Sequence, residues 1–553
     1  MNATAASAAA PIDYQNLRYG YRHHPDQDAA TPARHPVVVV GAGPVGLALA
    51  IDLAQRQVPV VLLDNDNKLS TGSRAICFAK RSLEIFDRLG CGERMAAKGV
   101  SWKLGRVFLQ DAQIYEFDLL PEEGHQRPAF VNLQQYYVEG YLAERAAELP
   151  LLDIRWSHKV AGVEQHEDHA LLTVETPDGN YRLQADWLAA CDGSRSAVRQ
   201  LIGQESKGRI FKDRFLIVDV KMKVDFPAER WFWFDPHFHR HQSVLLHMQP
   251  DNVWRIDFQL GWEADPEAEK KPENIIPRVK ALLAASPFKD AEFELEWASV
   301  YTFACLRMEA FRHGRVLFAG DSAHGVSPFG ARGANSGVQD ADNLAWKLAA
   351  VLRGEAPPAL LDSYAREREY AADENIRNST RATDFITPKS EMSRVFRDAV
   401  LQLAKRHPFA RTLVNSGRLS VPATLHGSTL NTPDSDDFEG RMVPGAVAAD
   451  APFADGADGW LLRAIGTDGR FTALVFGDGE AAEASLRALA EADLPAPVLR
   501  VPLDQAHALA AQRYDARPGT TYLLRPDQHV CARWRSPTAA AIRAAHARAL
   551  GKA

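Results

Sequence analysis

The stretch "VVVVGAGPVG" sets Gly41, Gly43 and Gly46 in a G-x-G-x-x-G spacing, with Pro44 and Val45 between the last two. In such a turn the first glycine permits the tight bend, the second lets a pyrophosphate approach the backbone, and the third lets helix pack on strand. Free N–H groups at the start of the following helix favour an anionic phosphate. Asp64, the last residue of "VPVVLLD", stands where an acid accepts hydrogen bonds from an adenosine ribose. Together these residues read as a dinucleotide site; the alternative is a merely structural turn. A second stretch, "GDSAHGVSPFGARGANSG" at 320–337, holds five glycines, Asp321, His324 and Pro328. Fixing glycine costs backbone entropy, so this density needs a cause. One cause is a flat, electron-rich ligand seated on backbone N–H groups; the bland alternative is a loop joining strand to helix. His324 reads as a hydrogen bond holding that loop.

These residues need elements to position them. Val37–Val40 read as a buried parallel strand, "LALAIDLAQRQ" as an apolar helix and "VPVVLLD" as a second strand, which makes one βαβ unit. "AKRSLEIFDRLG" reads as a short helix closed by Gly90. From about residue 205 the pattern changes to period two. "RFLIVDVKMKV" and "VWRIDFQL" predict half-buried antiparallel strands, so a mixed sheet interrupts the α/β pattern. "RVLFAG" returns to a buried strand and "VQDADNLAWKLAAVL" to a helix. The expected organisation is a flexible extension over 1–35 and an α/β domain over 36–385, with the interleaved sheet at about 205–305. A helical and then linker region follows over 386–435. The remainder, 436–553, has the order βαβαββα and resembles a thioredoxin-like fold. It carries no CxxC and only Cys531, so it is expected to be redox-inactive.

A chain of 553 residues allows two to four domains. Its 46% hydrophobic content supplies a large core, and a net charge of −7 argues against a nucleic-acid partner. Five scattered cysteines fit reduced thiols in the cytoplasm. No uncharged run reaches the length of a membrane helix, and the N-terminus reads as neither signal peptide nor span. "HFHRH" puts His237, His239 and His241 at alternating positions, but a hairpin tip after Asp235–Pro236 is the expected reading, with no metal.

Three separated motifs, "GAGPVG" (41–46), "CDGSRSAVR" (191–199) and "AGDSAHGVSP" (319–328), resemble those of the class A, single-component FAD-dependent aromatic hydroxylases. The likeness spans roughly residues 36–385. Total length and the "RAI" at 74–76 look most similar to the phenol hydroxylase and 3-(3-hydroxyphenyl)propionate hydroxylase type. It implies a Rossmann-like FAD-binding domain interleaved with a mixed β-sheet substrate domain, plus the thioredoxin-like domain. It also implies FAD as cofactor, NADPH or NADH as co-substrate, O2, a small aromatic substrate, and a homodimer as the expected assembly. Reaction through a flavin C4a-hydroperoxide is implied as well. Residue by residue, Gly320 and Asp321 would bind the ribityl chain, and Arg74 the phosphate or ribityl region. Gln135 (or the adjacent Gln134), Asp192 and Arg199 would serve FAD, the last two also the nicotinamide. Pro328 would border the ring edge where oxygen reacts. Gly330, Gly333, Ala334 and Asn335 would present backbone amides to the flavin pyrimidine, where reduced flavin carries negative charge.

The substrate side is less legible. Members of the phenol hydroxylase type place an acid shortly after the "RA" arginine, whereas here the stretch is "AICF", Ala75–Phe78, without acid or base. His247, Arg255 and Tyr301 are the candidates to activate a phenol, and "WFWF" at 231–234 to wall its pocket. The rival readings are a flavoprotein of the same fold performing Baeyer–Villiger insertion or oxidising a polyketide, and a non-enzymatic binding protein.

Overall fold

A computed structural model describes residues 12–70, 72, 74–414, 420–453, 459–465 and 469–552. Its first sheet is built on four neighbouring parallel strands, Val316–Phe318, Gly179–Ala190, Ala33–Val40 and Val60–Asp64, in that order, with Leu152–Trp156 beyond the last. Val37, Val38 and Val39 are wholly buried, as parallel strands covered on both faces require. Helix α1 (Pro44–Gln55) covers this sheet, with α2 (Lys80–Arg88) and α3 (Gln135–Ala147) beside it. After Phe318 come α4 (Gly333–Leu352) and the long α5 (Leu360–Ile386). Gly41, Cys191–Asp192 and Gly320–Asp321 therefore leave the carboxyl ends of three adjacent parallel strands. Open α/β sheets form their ligand crevice at that edge.

The second sheet has eight strands in the order 324–325, 294–308, 206–221, 253–260, 243–248, 230–234, 104–109, 112–118. It extends beyond the expected span of about 205–305. Leu104–Leu109 pairs in parallel with Arg230–Phe234 and brings Ala112–Asp118 with it. Helices α6 (Glu391–Ala404) and α7 (Pro408–Val414) follow α5, and Val400, Leu401, Ala404, Ala410 and Val414 pack on this sheet's aromatic face.

Two further features bear on the site. Residues 12–32, expected as part of a flexible extension, are docked instead. Tyr14 is buried edge-on between Tyr137 and Tyr141, and Tyr19 stacks on Trp156 at 4.3 Å. The aromatic rings of this polar segment supply the burial that its composition concealed; residues 1–11 lie outside the described residues. The C-terminal unit forms a four-stranded sheet in the order 498–501, 472–476, 521–524, 530–534, with helices Glu480–Ala492 and Ala539–Ala549 packed on each other. It joins the first domain through buried ions. Arg525 grips both oxygens of Glu367 at 2.7 and 3.1 Å, Lys347 donates to Glu367 at 2.7 Å, and Arg81 bridges Asp342 and the Asp527 carbonyl.

Candidate active site

The start of α1 is shaped by absent side chains. Gly41 has φ +103°, and a Cβ there would lie 2.6 Å from the Cys191 carbonyl oxygen; at Gly46 one would collide with the Gly41 carbonyl. At Gly43 a Cβ would meet nothing within 4 Å, so this position faces open space rather than protein. The pyrophosphate argument needs that asymmetry. Asp64 accepts from the Ala42 N–H at 2.6 Å and the Asp66 N–H at 2.8 Å, so its carboxylate also fastens the glycine turn. Burial raises its pKa against those two hydrogen bonds.

The loop after Phe318 hangs on Asp340, one residue into the third turn of α4. Fully buried, Asp340 accepts from the Gly320 N–H at 2.9 Å, His324 Nε2 at 2.6 Å and Arg368 Nε at 2.6 Å. Gly320 (φ +65°) and Gly337 leave room for Val45, which binds loop and α4 to the start of α1. Asp321 and Pro328 are exposed to the cleft. Poor solvation inside the cleft raises the Asp321 carboxyl, countered by the charges of His324 and Arg74, and Tyr301 is close enough to sense the same carboxylate. Gly330 (φ +105°) and Ala331 (φ +51°) then turn the chain into α4, which begins at Gly333. Asn335 holds the turn with its side chain, donating to the Cys77 and Ala331 carbonyls and accepting from the Ala79 N–H. Gly333 and Ala334 sit half-exposed in the first turn, where free N–H groups collect.

The remaining motif residues brace this loop. Arg199 donates to the Ser322 and Ser194 carbonyls, both at 2.7 Å, tying the 191–199 motif to the 320–328 loop. Asp192 accepts from the Val198 N–H at 3.0 Å, and its buried Oδ1 has no hydrogen-bond partner among the described residues. Gln135 accepts from the Ala75 N–H and donates to Ser70 and Glu139, fixing the segment that carries the exposed Arg74. Gln134 instead reaches the Pro250 carbonyl.

A cavity of about 220 Å³ adjoins the loop at Phe329 and Gly330. Phe117, Phe232, Phe234 and Tyr115 give it aromatic walls, and Arg230, Arg411 and Glu116 add charge of both signs. Of "WFWF", the two phenylalanines line it and the two tryptophans point to the opposite face. His247 and Arg255 do not line it. Arg255 is locked to Asp219 by two hydrogen bonds of 2.8 Å. Burial, with Arg230 and Arg255 alongside, holds the His247 pKa well below the ordinary value, which leaves it a weak base. Asp257, two residues from Arg255 on the same strand, is pushed up to about 6 by burial. The three histidines of "HFHRH" take separate partners: His237 meets Asp111, His239 the Gln259 carbonyl, and the His241 N–H donates to Asp235.

The cleft fits FAD. Its floor at Gly43 lacks a side chain, its carboxyl-end loops expose Asp321 and Arg74, and a buried carboxylate oxygen of Asp192 lacks a partner among the described residues. The profile of the family described as "FAD binding domain" matches residues 34–379. The chain belongs to the FAD-dependent aromatic hydroxylases. This hydroxylase is 31% identical over 525 residues to 6-methylpretetramide 4-monooxygenase of Streptomyces rimosus, covering 90% of both chains. It is 30% identical to 3-(3-hydroxy-phenyl)propionate/3-hydroxycinnamic acid hydroxylase of Burkholderia cenocepacia, covering 77% of this chain and 76% of that one. Its fold is also that of the flavin-dependent monooxygenase PieE, solved with FAD and substrate. The TM-score there is 0.78 at 21% identity, over 95% of this chain and all of the other. It is thus a flavoprotein monooxygenase that uses FAD, with NAD(P)H as co-substrate. Among the described residues no helix is long and apolar enough to cross a membrane.

Several functional residues escaped the sequence reading. Asp340 and Arg368 lie outside any motif. Neighbouring charges, Asp342 beside the first and Arg366, Glu367 and Glu369 around the second, hide them among ordinary helix-surface residues. Arg230 was hidden at the head of an aromatic strand, and Ile386, Arg411 and Val414 enter the cavity from a region read as helix and linker.

Proposed function

We propose that the hydroxylase inserts one oxygen atom of O2 into a phenolic ring, with NAD(P)H as reductant. When bound, FAD supplies hydride acceptance and oxygen activation at its C4a position; the chain supplies placement and exclusion of water. Asp321 receives the ribityl hydroxyls, Arg74 the phosphate or ribityl region, and the amides from Gly330 to Asn335 the electron-rich end of the ring. Pro328 borders the edge where oxygen reacts. The observation that supports this reading is the aromatic cavity, which shares Phe329 and Gly330 with the loop that would hold the flavin, so an aromatic ring bound there would adjoin the cofactor site. His247 and Arg255 act from behind the wall as parts of its charge balance.

Residues 436–553 are proposed as a thioredoxin-like domain without redox function. Cys531 is fully buried, and burial pushes its thiol up to about 12, so no thiolate is available at neutral pH. The decisive experiment is a screen of phenols for stimulation of NAD(P)H oxidation by the FAD-loaded protein, with products identified by mass. The expected result is a faster rate with a product heavier by one oxygen on the ring. Ring-expanded lactone products, or no stimulation by any phenol, would overturn the phenol reading in favour of the same-fold oxidations.

A further inference from the structure

Helix α6 carries two apolar stripes where the fold uses one. Arg397, Val400, Leu401 and Ala404, at i, i+3, i+4 and i+7, are buried, and the last three pack on the second sheet. Met392, Val395, Phe396, Ala399 and Leu403, at i, i+3, i+4, i+7 and i+11, form the other stripe, and all five are exposed. With 3.6 residues per turn the stripes lie roughly 140° apart, so the sheet that covers the first leaves the second bare. Helix α7 continues the pattern. Ala410 and Val414 are buried, while Phe409 and Leu413, one turn apart, are 64% and 56% exposed. Of the fourteen large apolar side chains left exposed among the described residues, six fall between Met392 and Leu413. Single exposed apolar residues are ordinary, but a concentration of this kind marks a surface that meets another one.

Charge decides what that surface meets. Arg394, Lys405, Arg406 and His407 are exposed on the same two helices and their connection, and none has a carboxylate partner among the described residues. Asp398 is taken by Arg397 at 2.9 Å, which leaves Glu391 as the one unpaired acid of α6 and α7; Glu116 is the exposed acid on the strand beside them. The rim is therefore basic, on a chain whose net charge is −7. A second copy docked about a two-fold axis would set this rim against itself, because such a contact uses the same patch on both subunits. A bilayer with anionic lipids answers both features. Its acyl boundary accepts Met, Val, Phe and Leu side chains, and its headgroups attract the cations around them.

We infer that α6 and α7 dock the hydroxylase on the surface of an anionic lipid bilayer. Met392, Phe396, Leu403, Phe409 and Leu413 enter the acyl boundary, and Arg394, Lys405 and Arg406 stay at the headgroups. The contact lies on the bilayer and does not cross it. Helix α7 also supplies Arg411, Thr412 and Val414 to the aromatic cavity, so docking sets one wall of that cavity against lipid. It does not depend on the reaction proposed for the cavity.

The test is flotation of the full FAD-loaded chain with two kinds of vesicle, phosphatidylcholine alone and phosphatidylcholine with about 30 mol% phosphatidylglycerol. The anionic vesicles should bind about 10- to 100-fold more tightly, as three basic side chains partly offset by Glu391 would give. Raising the salt to about 0.5 M should remove most of that preference. Phe396→Ser with Phe409→Ser, both at exposed positions, should keep FAD and thermal stability and lower binding to the anionic vesicles about tenfold or more. Lys405→Gln with Arg406→Gln should weaken binding to the anionic vesicles and leave the neutral ones unchanged. A parent protein that binds neither vesicle, or both equally, overturns the inference. So does binding that survives undiminished in a folded Phe396→Ser, Phe409→Ser variant. A parent that dimerises without binding vesicles, and becomes monomeric in that variant, would overturn it and give the face to a second copy of the chain.

Discussion

Replacement of Asp340 by asparagine tests whether one buried carboxylate holds the flavin-facing loop. The native oxygens accept from Gly320, His324 and Arg368, all within 2.9 Å, and the residue is wholly buried. Asparagine keeps the volume, removes the charge and turns N–H donors toward groups that are themselves donors. Arg368, 3% exposed, then lacks its carboxylate, and breaking a buried pair from one side costs about 3–5 kcal/mol. We expect Asp340→Asn to lose about 3 kcal/mol of unfolding free energy, read by tryptophan fluorescence in urea. FAD affinity, read by equilibrium dialysis, should fall about tenfold, since each 1.4 kcal/mol needed to restore the loop is a factor of ten. Adding Arg368→Met removes the stranded cation, so the double variant should be more stable than Asp340→Asn alone. The pH dependence has a definite sign. Burial pushes the Asp340 carboxyl up, but His324 and Arg368 outweigh it and hold it below the ordinary value. Its stabilisation is complete above the unfolded pKa of about 3.9 and is lost as pH falls through the lower folded value. The variant should lack that part of the acid limb. Stability within about 0.5 kcal/mol of the parent, together with full FAD retention, refutes the reasoning.

Two further outcomes follow from the same structure. Asp321→Ala should fold with unchanged stability, because no hydrogen bond from a described residue depends on that side chain, yet release FAD on gel filtration; a variant that stays yellow contradicts its ribityl role. Glu367→Gln leaves Arg525 and Lys347 without their shared counter-ion in a dry interface, so it should cost about 3–5 kcal/mol by chemical denaturation, and a silent variant would show that Asp527 alone balances Arg525.

The sequence was most readable where one residue type has one backbone use. The glycines at 41, 43 and 46 are in the turn that their spacing demands, and Val37–Val40 are in the strand that their hydrophobicity demands. The strands and helices of the C-terminal unit were equally plain, because their periodicities are uninterrupted. What could not be read was partnership at a distance. Arg255 looks like a catalytic candidate in sequence, and only the pairing of strands 206–221 and 253–260 puts Asp219 against it. Conversely, Arg230 looks like a strand-edge charge until that strand pairs with Leu104–Leu109 and shuts it beside a cavity. The docking of residues 12–32 depends likewise on tyrosines more than a hundred residues away.

The buried ions between α4, α5 and the C-terminal unit have a consequence for how such a chain can be rearranged. Glu367, Lys347, Asp342 and Arg81 belong to one side, Arg525 and Asp527 to the other; each set balances in charge, but Glu367 is shared by Lys347 and Arg525, and Arg81 by Asp342 and the Asp527 carbonyl, so a cut between the sets breaks hydrogen bonds on both sides. Removal of the C-terminal unit would therefore uncover Glu367 without Arg525, and Arg81 without its Asp527 acceptor, behind α4, the helix whose first turn faces the flavin-binding cleft. The two parts form one inheritable piece. A graft of another hydroxylase's C-terminal unit would succeed only if it brought, or met, the same arrangement of charge.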